Sequence, residues 1–380
     1  MSVQTVETLV IGAGPAGLAM GACLRVGGRS FTLVERTASV GSRWRNHYDR
    51  LHLHTVRQLS HLPYLPMPRS YGRYPSREQF VAYLENYAKT FELEPDFATE
   101  VRHASLGDDK VWQVTTSRTT YRCKNLVVAT GYNAVPHRPN WPGMETYTGQ
   151  LSHSGAYKNG SEYAGKRVLV VGFGNSGGEI GVDLHEHGAE VSVCVRGQVH
   201  ITPRDIGAGR FQLSAQYASL LLSKLPLSVA DTIAKQTQAI SVGDLSQFGL
   251  SRPEYGPLRG IVERGRVPLI DVGILPLITA GKVAVVGAID RFDEAGVWLA
   301  DGSHRTFDAV VLATGYRGNL KFLEGITPLL DDRGYPRVFG REAGLSGLYF
   351  VGFRNTPTGA LREMTIEAQR VAGDIVRKAG

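Results

Sequence analysis

Two runs of the same form constrain this chain of 380 residues more than anything else in it. Gly12-Ala13-Gly14-Pro15-Ala16-Gly17 follows an apolar strand-like stretch, Thr8 to Ile11, and opens a helix-like segment, Pro15 to Arg25. Gly172-Phe173-Gly174-Asn175-Ser176-Gly177 follows Val168 to Val171 and opens a second helix through Leu184. Each is a strand, a glycine turn and a helix. The glycines permit the tight turn, the approach of the backbone to a pyrophosphate and close packing of helix on strand, and the pyrophosphate rests at the helix N-terminus. One such match is weak, but two in the same local context predict an α/β chain with two Rossmann-like dinucleotide-binding domains.

The copies differ where their second strands end. Ser30 to Glu35 closes with a carboxylate about 20 residues beyond Gly14, the place of a group that accepts hydrogen bonds from ribose hydroxyls. Glu190 to Val195 is followed instead by Arg196. A cation there suits the 2′-phosphate of NADP, and the carboxylate that NAD would use is missing. A second device is also doubled. Ala129-Thr130-Gly131-Tyr132 and Ala313-Thr314-Gly315-Tyr316 each follow an apolar strand, which puts Thr130, Gly131, Thr314 and Gly315 among the cofactor-binding candidates with Gly12, Gly14, Gly17, Glu35, Gly172, Gly174, Gly177 and Arg196.

Composition excludes several other classes. With 42% apolar and 20% charged residues the chain is globular and long enough for two or three domains. No basic leader with a long apolar run precedes the first strand, and no stretch reaches the ~18 continuous apolar residues of a spanning helix. A soluble, cytoplasmic protein with no integral membrane segment is expected. Cys23, Cys123 and Cys194 form no Cys-x-x-Cys, which argues against a disulfide scaffold, a zinc ribbon and a redox dithiol. The net charge of +7 is scattered rather than gathered into a basic run, so phosphate-rich cofactors account for it without nucleic acid. His52 and His54 would share one face of a strand, but no acidic or thiol partner stands at ligand spacing, and no metal site is expected.

Between these signals, Gly41 to Pro68 reads as a long irregular excursion, a kind of loop usually kept for function. Ser76 caps a helix whose inner face is Phe80, Val81, Leu84 and Tyr87. Val111 to Thr116 and Asn125 to Thr130 read as strands. Gln212 to Gln238 is apolar and helical, broken at Pro226; packing is its expected role, with membrane-surface contact or a substrate channel as alternatives. Leu345 to Phe353 reads as a last strand and Thr358 to Lys378 as a helix with Ile366, Val371 and Ile375 inward, the usual closure of a flavin domain. The expected division is an FAD-binding domain made of residues 1–150 and 306–380, with an NADPH-binding domain, 151–305, inserted.

Tyr147-x-Gly149-x-x-x-His153-x-x-x-Tyr157 resembles the linker fingerprint of the flavin-containing monooxygenases, with Tyr147 in place of the usual Phe. YDRLHLH (48–54), YPSREQFVAYLENYA (74–88), GNSGGEIGVDL (174–184), RPEYGPL (252–258) and DVGIL (271–275) make the YUCCA type the nearest resemblance, and it covers nearly the whole chain. That resemblance implies FAD reduced by NADPH, addition of O2 to the flavin at C4a, and transfer of oxygen from this (hydro)peroxyflavin to a small-molecule substrate. For the YUCCA type the implied reaction is oxidative decarboxylation of an aryl pyruvate, indole-3-pyruvate giving indole-3-acetate, the auxin-forming step. It also implies roles: Asn175 and Ser176 orient the nicotinamide, His153 couples the linker to NADP, and Trp44 joins the cofactor contacts. His54 stands where many flavin-containing monooxygenases have an Asn, so His54, Asn175 and His153 form the candidate catalytic set. Arg57 replaces a YUCCA Lys, and the ending NTPTGALREMTIEAQR departs from the usual one. N- or S-oxygenation, Baeyer–Villiger chemistry and a non-catalytic NADPH/FAD sensor are the alternatives; a flavin disulfide reductase would need a dithiol. The assembly state, a homo-oligomer included, stays open.

Overall fold

The computed structural model describes residues 3–207 and 212–379. The chain forms two compact units, one made of Met1–Arg45, Thr55–Val135 and Tyr316–Gly380, the other of Asn46–His54 and Pro136–Gly315.

In the first unit β1 (Val3–Ile11) pairs in parallel with β2 (Phe31–Val34), and α1 (Pro15–Val26) makes the crossover between them. Small residues run along α1, so the whole stretch Pro15 to Leu24 is buried, a helix sunk between sheet and neighbours rather than laid on a surface. A short turn of helix, α2 (Ser42–Arg45), follows β2. A longer helix, α3 (Arg77–Thr90), starts at a reciprocal cap: Ser76 Oγ accepts from the Gln79 N–H at 3.2 Å and Gln79 Oε1 accepts from the Ser76 N–H at 3.0 Å. Phe80, Val81, Leu84 and Tyr87 are buried on its inner face, as the spacing predicts. A meander, β3 (Val101–Leu106), β4 (Trp112–Thr116) and β5 (Thr120–Val128), completes the order β2-β1-β5-β4-β3, antiparallel in the meander and parallel where β5 meets β1.

The chain then builds the second unit. Its sheet is wholly parallel and contains β6 (Gln150–His153), β7 (Arg167–Val171), β8 (Glu190–Cys194), β9 (Val283–Val286) and β10 (Ala309–Leu312), ordered β9-β8-β7-β10-β6. The helix α4 (Asn175–Glu186) crosses from β7 to β8. Near-continuous Val and Leu in β7 and β10 suit strands covered on both faces, and all four residues of β10 are fully buried. On its return to the first unit the chain adds β11 (Leu348–Phe350) in parallel to the far end of β5 and lays the amphipathic α7 (Ala360–Ala379) against α1.

The boundaries differ from those expected at 150 and 306. Strand β10 is hydrogen-bonded between β7 and β6, so residues 306–315 belong to the inserted unit, and the insertion begins at Pro136. Residues 46–54, expected in the first domain, pack with the second, Tyr48 lying in its core and Leu51 against it. The segment 212–238 also differs. Pro226 does divide it, into α5 (Ala215–Leu222) and α6 (Leu227–Val242), but Leu221, Leu225, Val229 and Ile233 are exposed, so much of its apolar surface is not spent on packing. The last strand is shorter than expected because Gly347, at φ 68°, turns tightly against Lys124, whose carbonyl oxygen would lie 2.0 Å from any Cβ. On α7, Val371 and Ile375 are buried while Ile366 is half-buried. No helix among the described residues is long and apolar enough to cross a membrane.

Glu367 of α7 is 4% exposed, accepts the Gly352 N–H through Oε2 at 2.9 Å and leaves Oε1 buried without a partner. Burial pushes its carboxyl from an ordinary 4.5 up to about 7. The folded chain therefore holds this proton more tightly than the unfolded chain, and the stability it brings is complete at low pH and lost as pH rises through about 7. Glu367→Gln should raise stability at pH 8 by about 2–3 kcal/mol and converge with wild type below the ordinary carboxylate range. Thermal denaturation at both pH values checks this; a difference independent of pH would refute it.

Candidate functional site

Each unit carries a cradle built by its glycine turn. In the first, Gly12 has φ 104° and a Cβ there would meet the Ala129 carbonyl oxygen at 2.9 Å; a Cβ on Gly17 would lie 1.7 Å from the Gly12 carbonyl oxygen. Both are glycine for fit within the fold. Gly14 is different: a Cβ there meets nothing within 4 Å, so the open side of the turn faces free space at the N-terminus of α1. The second unit repeats the arrangement. Gly172 has φ 108° and a Cβ there would lie 2.6 Å from the Ala313 carbonyl oxygen, a Cβ on Gly177 would lie 2.0 Å from that of Gly172, and Gly174 again opens on free space.

Glu35 reaches back to the first turn. Its Oε2 accepts the Ala13 N–H at 2.7 Å, while Oε1 accepts from the Thr37 N–H and hydroxyl at 3.0 and 2.8 Å. A carboxylate has about four lone-pair sites, so acceptor capacity for a ribose remains. Thr130, between Ala129 and the left-handed Gly131, has a buried hydroxyl without a partner, a polar atom that a bound dinucleotide would satisfy. Open turn, acidic strand end and orphaned hydroxyl together fit an adenine dinucleotide. Trp44 packs edge-on against Phe80, ring centroids 4.5 Å apart, and so joins α2 to α3.

In the second unit Asn175 Oδ1 accepts the Ile270 N–H at 2.7 Å, which fixes the side chain to the strand Leu269–Asp271, while Ser176 is partly exposed. Arg196 is exposed with no ion-pair or hydrogen-bond partner among the described residues, a free cation at the end of β8. Thr314 donates its hydroxyl to the His137 carbonyl, and Gly315, at φ 80°, receives the His137 N–H at 2.9 Å. His153 is 1% exposed and both ring nitrogens face backbone: Nδ1 accepts the Gly155 N–H at 3.0 Å and Nε2 donates to the Gly315 carbonyl at 3.1 Å. It ties β6 to the Gly315 turn. Tyr157 of the same fingerprint is buried with its hydroxyl donating to Asp183 at 2.5 Å.

His54 lies in the second unit too, with Nε2 donating to Glu179 Oε1 at 2.5 Å. Glu179, in the first turns of α4, is 3% exposed, and its proximity to His54 is invisible in a sequence that separates them widely. His52 points elsewhere: it is exposed, with Nδ1 on its neighbour's Arg50 carbonyl. Arg57 donates to the carbonyls of Pro68, Arg69 and Tyr71 and so fastens the excursion to itself. Sequence reading missed two residues, Glu179 and Arg43. The latter points no signal along the chain because its feature is a buried donor without a partner.

Residues 9–207 match the family profile described as pyridine nucleotide-disulphide oxidoreductase. The three cysteines are free and buried, and burial pushes their thiols up to about 11 (Cys23), 12 (Cys123) and 11 (Cys194), so they are inert thiols rather than a redox pair. Along 97% of its length the chain is 41% identical to the indole-3-pyruvate monooxygenase YUCCA1 of Oryza sativa subsp. japonica, covering 90% of that protein. It is 39% identical to the indole-3-pyruvate monooxygenase YUCCA6 of Arabidopsis thaliana, covering 97% of this chain and 89% of the other. Among solved structures, a flavin-containing monooxygenase from Stenotrophomonas maltophilia superposes with a TM-score of 0.75 at 24% identity over 99% of this chain and 100% of that one. Cyclohexanone monooxygenase from Rhodococcus sp. Phi1, bound to NADP+, gives 0.76 at 21% identity over 100% of this chain and 84% of the other. These two share the fold. The doubled cradles, the lack of a dithiol and the near full-length identity lead to one conclusion: the chain belongs to the YUCCA-type class B flavin monooxygenases, flavin-dependent enzymes within the pyridine nucleotide-disulphide oxidoreductase family.

Proposed function

We propose that this enzyme uses FAD and NADPH to convert an aryl pyruvate, indole-3-pyruvate in the first instance, into the corresponding acetate. The observation that carries the reading is identity near 40% over almost the whole chain to proteins named for that reaction. The balance is one keto acid, O2, NADPH and a proton giving one arylacetate, CO2, NADP+ and water. When bound, the flavin supplies the activation of O2 with electrons from the nicotinamide, a step no amino-acid side chain performs.

The chain's own residues have narrower tasks. The first turn, with Glu35 and Thr130, holds FAD by its phosphates and ribose. The second turn holds NADPH, and Arg196 meets its 2′-phosphate. Asn175, fixed to Ile270, and Ser176 orient the nicotinamide, while His153 holds the Gly315 turn in place. His54 keeps a proton on Nε2 against Glu179, which sets its tautomer and leaves Nδ1 as the working nitrogen. Bidentate recognition by Arg196 would make NADPH preferred over NADH.

Three outcomes check this. Arg196→Ala should cut the NADPH over NADH preference about ten- to a hundredfold, the worth of one or two charge-assisted hydrogen bonds; an unchanged ratio of kcat/KM values removes Arg196 from the site. Gly174→Ala should weaken NADPH at least about tenfold while flavin content stays at the wild-type level, because the new methyl meets no protein atom; loss of flavin instead would mean that the cofactors are exchanged between units. With indole-3-pyruvate present, indole-3-acetate should form one for one with NADPH oxidised. Hydrogen peroxide alone, unaffected by the keto acid, would overturn the substrate and turn attention to amines, sulfides and ketones.

A further inference from the structure

Arg43 stands on α2, two residues beyond the point where the chain is fastened to the first glycine turn. The Gly41 N–H donates to the Ala13 carbonyl at 3.0 Å, and the Ala13 N–H is held by Glu35. Ser42 is held on the other side: its hydroxyl donates to the Ser39 carbonyl at 2.6 Å, in the turn where the Thr37 hydroxyl donates to Glu35. So the start of α2 is fastened both to the first glycine turn and to the turn that follows Glu35.

The guanidinium carbon lies over the Tyr316 ring, 4.0 Å from its centroid, in a cation–π contact. Nε and Nη2 are both buried and neither has a hydrogen-bond partner. No carboxylate pairs with Arg43 among the described residues. Burial, and after it the repulsion of a second cation, Arg36, lowers the Arg43 pKa. Leaving donors of a charged group buried and unpaired costs more than leaving neutral ones. A guanidinium with buried open donors and no paired acid among the described residues, on a segment fastened to a glycine turn that opens on free space, makes a place for an anion.

Resting on the proposed assignment of FAD to the first unit, we infer that Arg43 is a phosphate-binding residue of that unit, presenting its Nε and Nη2 edge to the FAD pyrophosphate. The contact with Tyr316 pre-orients the fork, so little side-chain freedom is lost when the phosphate arrives. Nothing in the glycine-turn pattern marks the residue, since the donor comes from the excursion after β2.

The test is FAD binding by deflavinated wild type, Arg43→Gln, Arg43→Lys and Tyr316→Leu, followed by flavin fluorescence across a range of salt, with thermal midpoints of the deflavinated proteins. Arg43→Gln should bind FAD about ten- to a hundredfold more weakly with a shallower dependence on ionic strength, Arg43→Lys should lie between it and wild type, and the deflavinated midpoints should agree. Wild-type affinity and salt dependence in both Arg43 variants would overturn the proposal. So would an Arg43→Gln protein whose weaker binding keeps the wild-type salt dependence while its deflavinated midpoint falls as it does in Tyr316→Leu, the mark of a packing role. Wild type that takes up no FAD overturns the assignment of the unit itself, and it is read before any variant.

Discussion

The fold depends on a distance too short for a side chain. At Gly17 and Gly177 the helix after each turn approaches the turn's own first carbonyl so closely that a methyl group would overlap it. That approach brings the helix N-terminus, with its free N–H groups and partial positive charge, down onto the end of the sheet. Everything else at each cradle is arranged around it. Ala129 and Ala313 close the floor with their carbonyls, and the next residues, Thr130 and Thr314, stand at the rim. One constraint, used twice, produces two places where a phosphate can lie.

The units then diverge in their polar groups. In the first, an acid, Glu35, is held on the turn by backbone and hydroxyl donors and still has lone pairs to offer. In the second, a cation, Arg196, is exposed and has no ion-pair or hydrogen-bond partner among the described residues at the matching strand end. The contrast is one of timing as well as charge. A carboxylate fixed before the ligand arrives selects for hydroxyl donors, whereas a free arginine orders itself around a phosphate when one comes.

Much of this was legible in the chain. Turns, crossovers, the Ser76 cap and the inner face of α3 rest on local rules, and the structure follows them within a residue or two. Contacts between residues far apart in sequence were not. Nothing local announces that His54 meets Glu179, that Arg43 lies on Tyr316, or that 46–54 leaves the first unit to pack in the second. The boundary at 306 failed for the same reason: the hydrophobic run 309–312 says strand, but which sheet it enters is decided by pairing with β6 and β7. Segment 212–238 misled in another way, because apolar composition specifies a preference to leave water without naming what is to cover it.

The split of the first unit has a consequence for the order of assembly. Strand β5 pairs along its far end with β11, and α1 is covered by α7, both supplied only by the last part of the chain. The inserted unit needs nothing after Gly315. As the chain leaves the ribosome, the second unit therefore has all of its sheet while the first still lacks a strand and its covering helix, with the apolar face of α1 waiting. The unit that begins the polypeptide is the one that finishes last, and a chain truncated near its end keeps an intact second sheet beside an open first one.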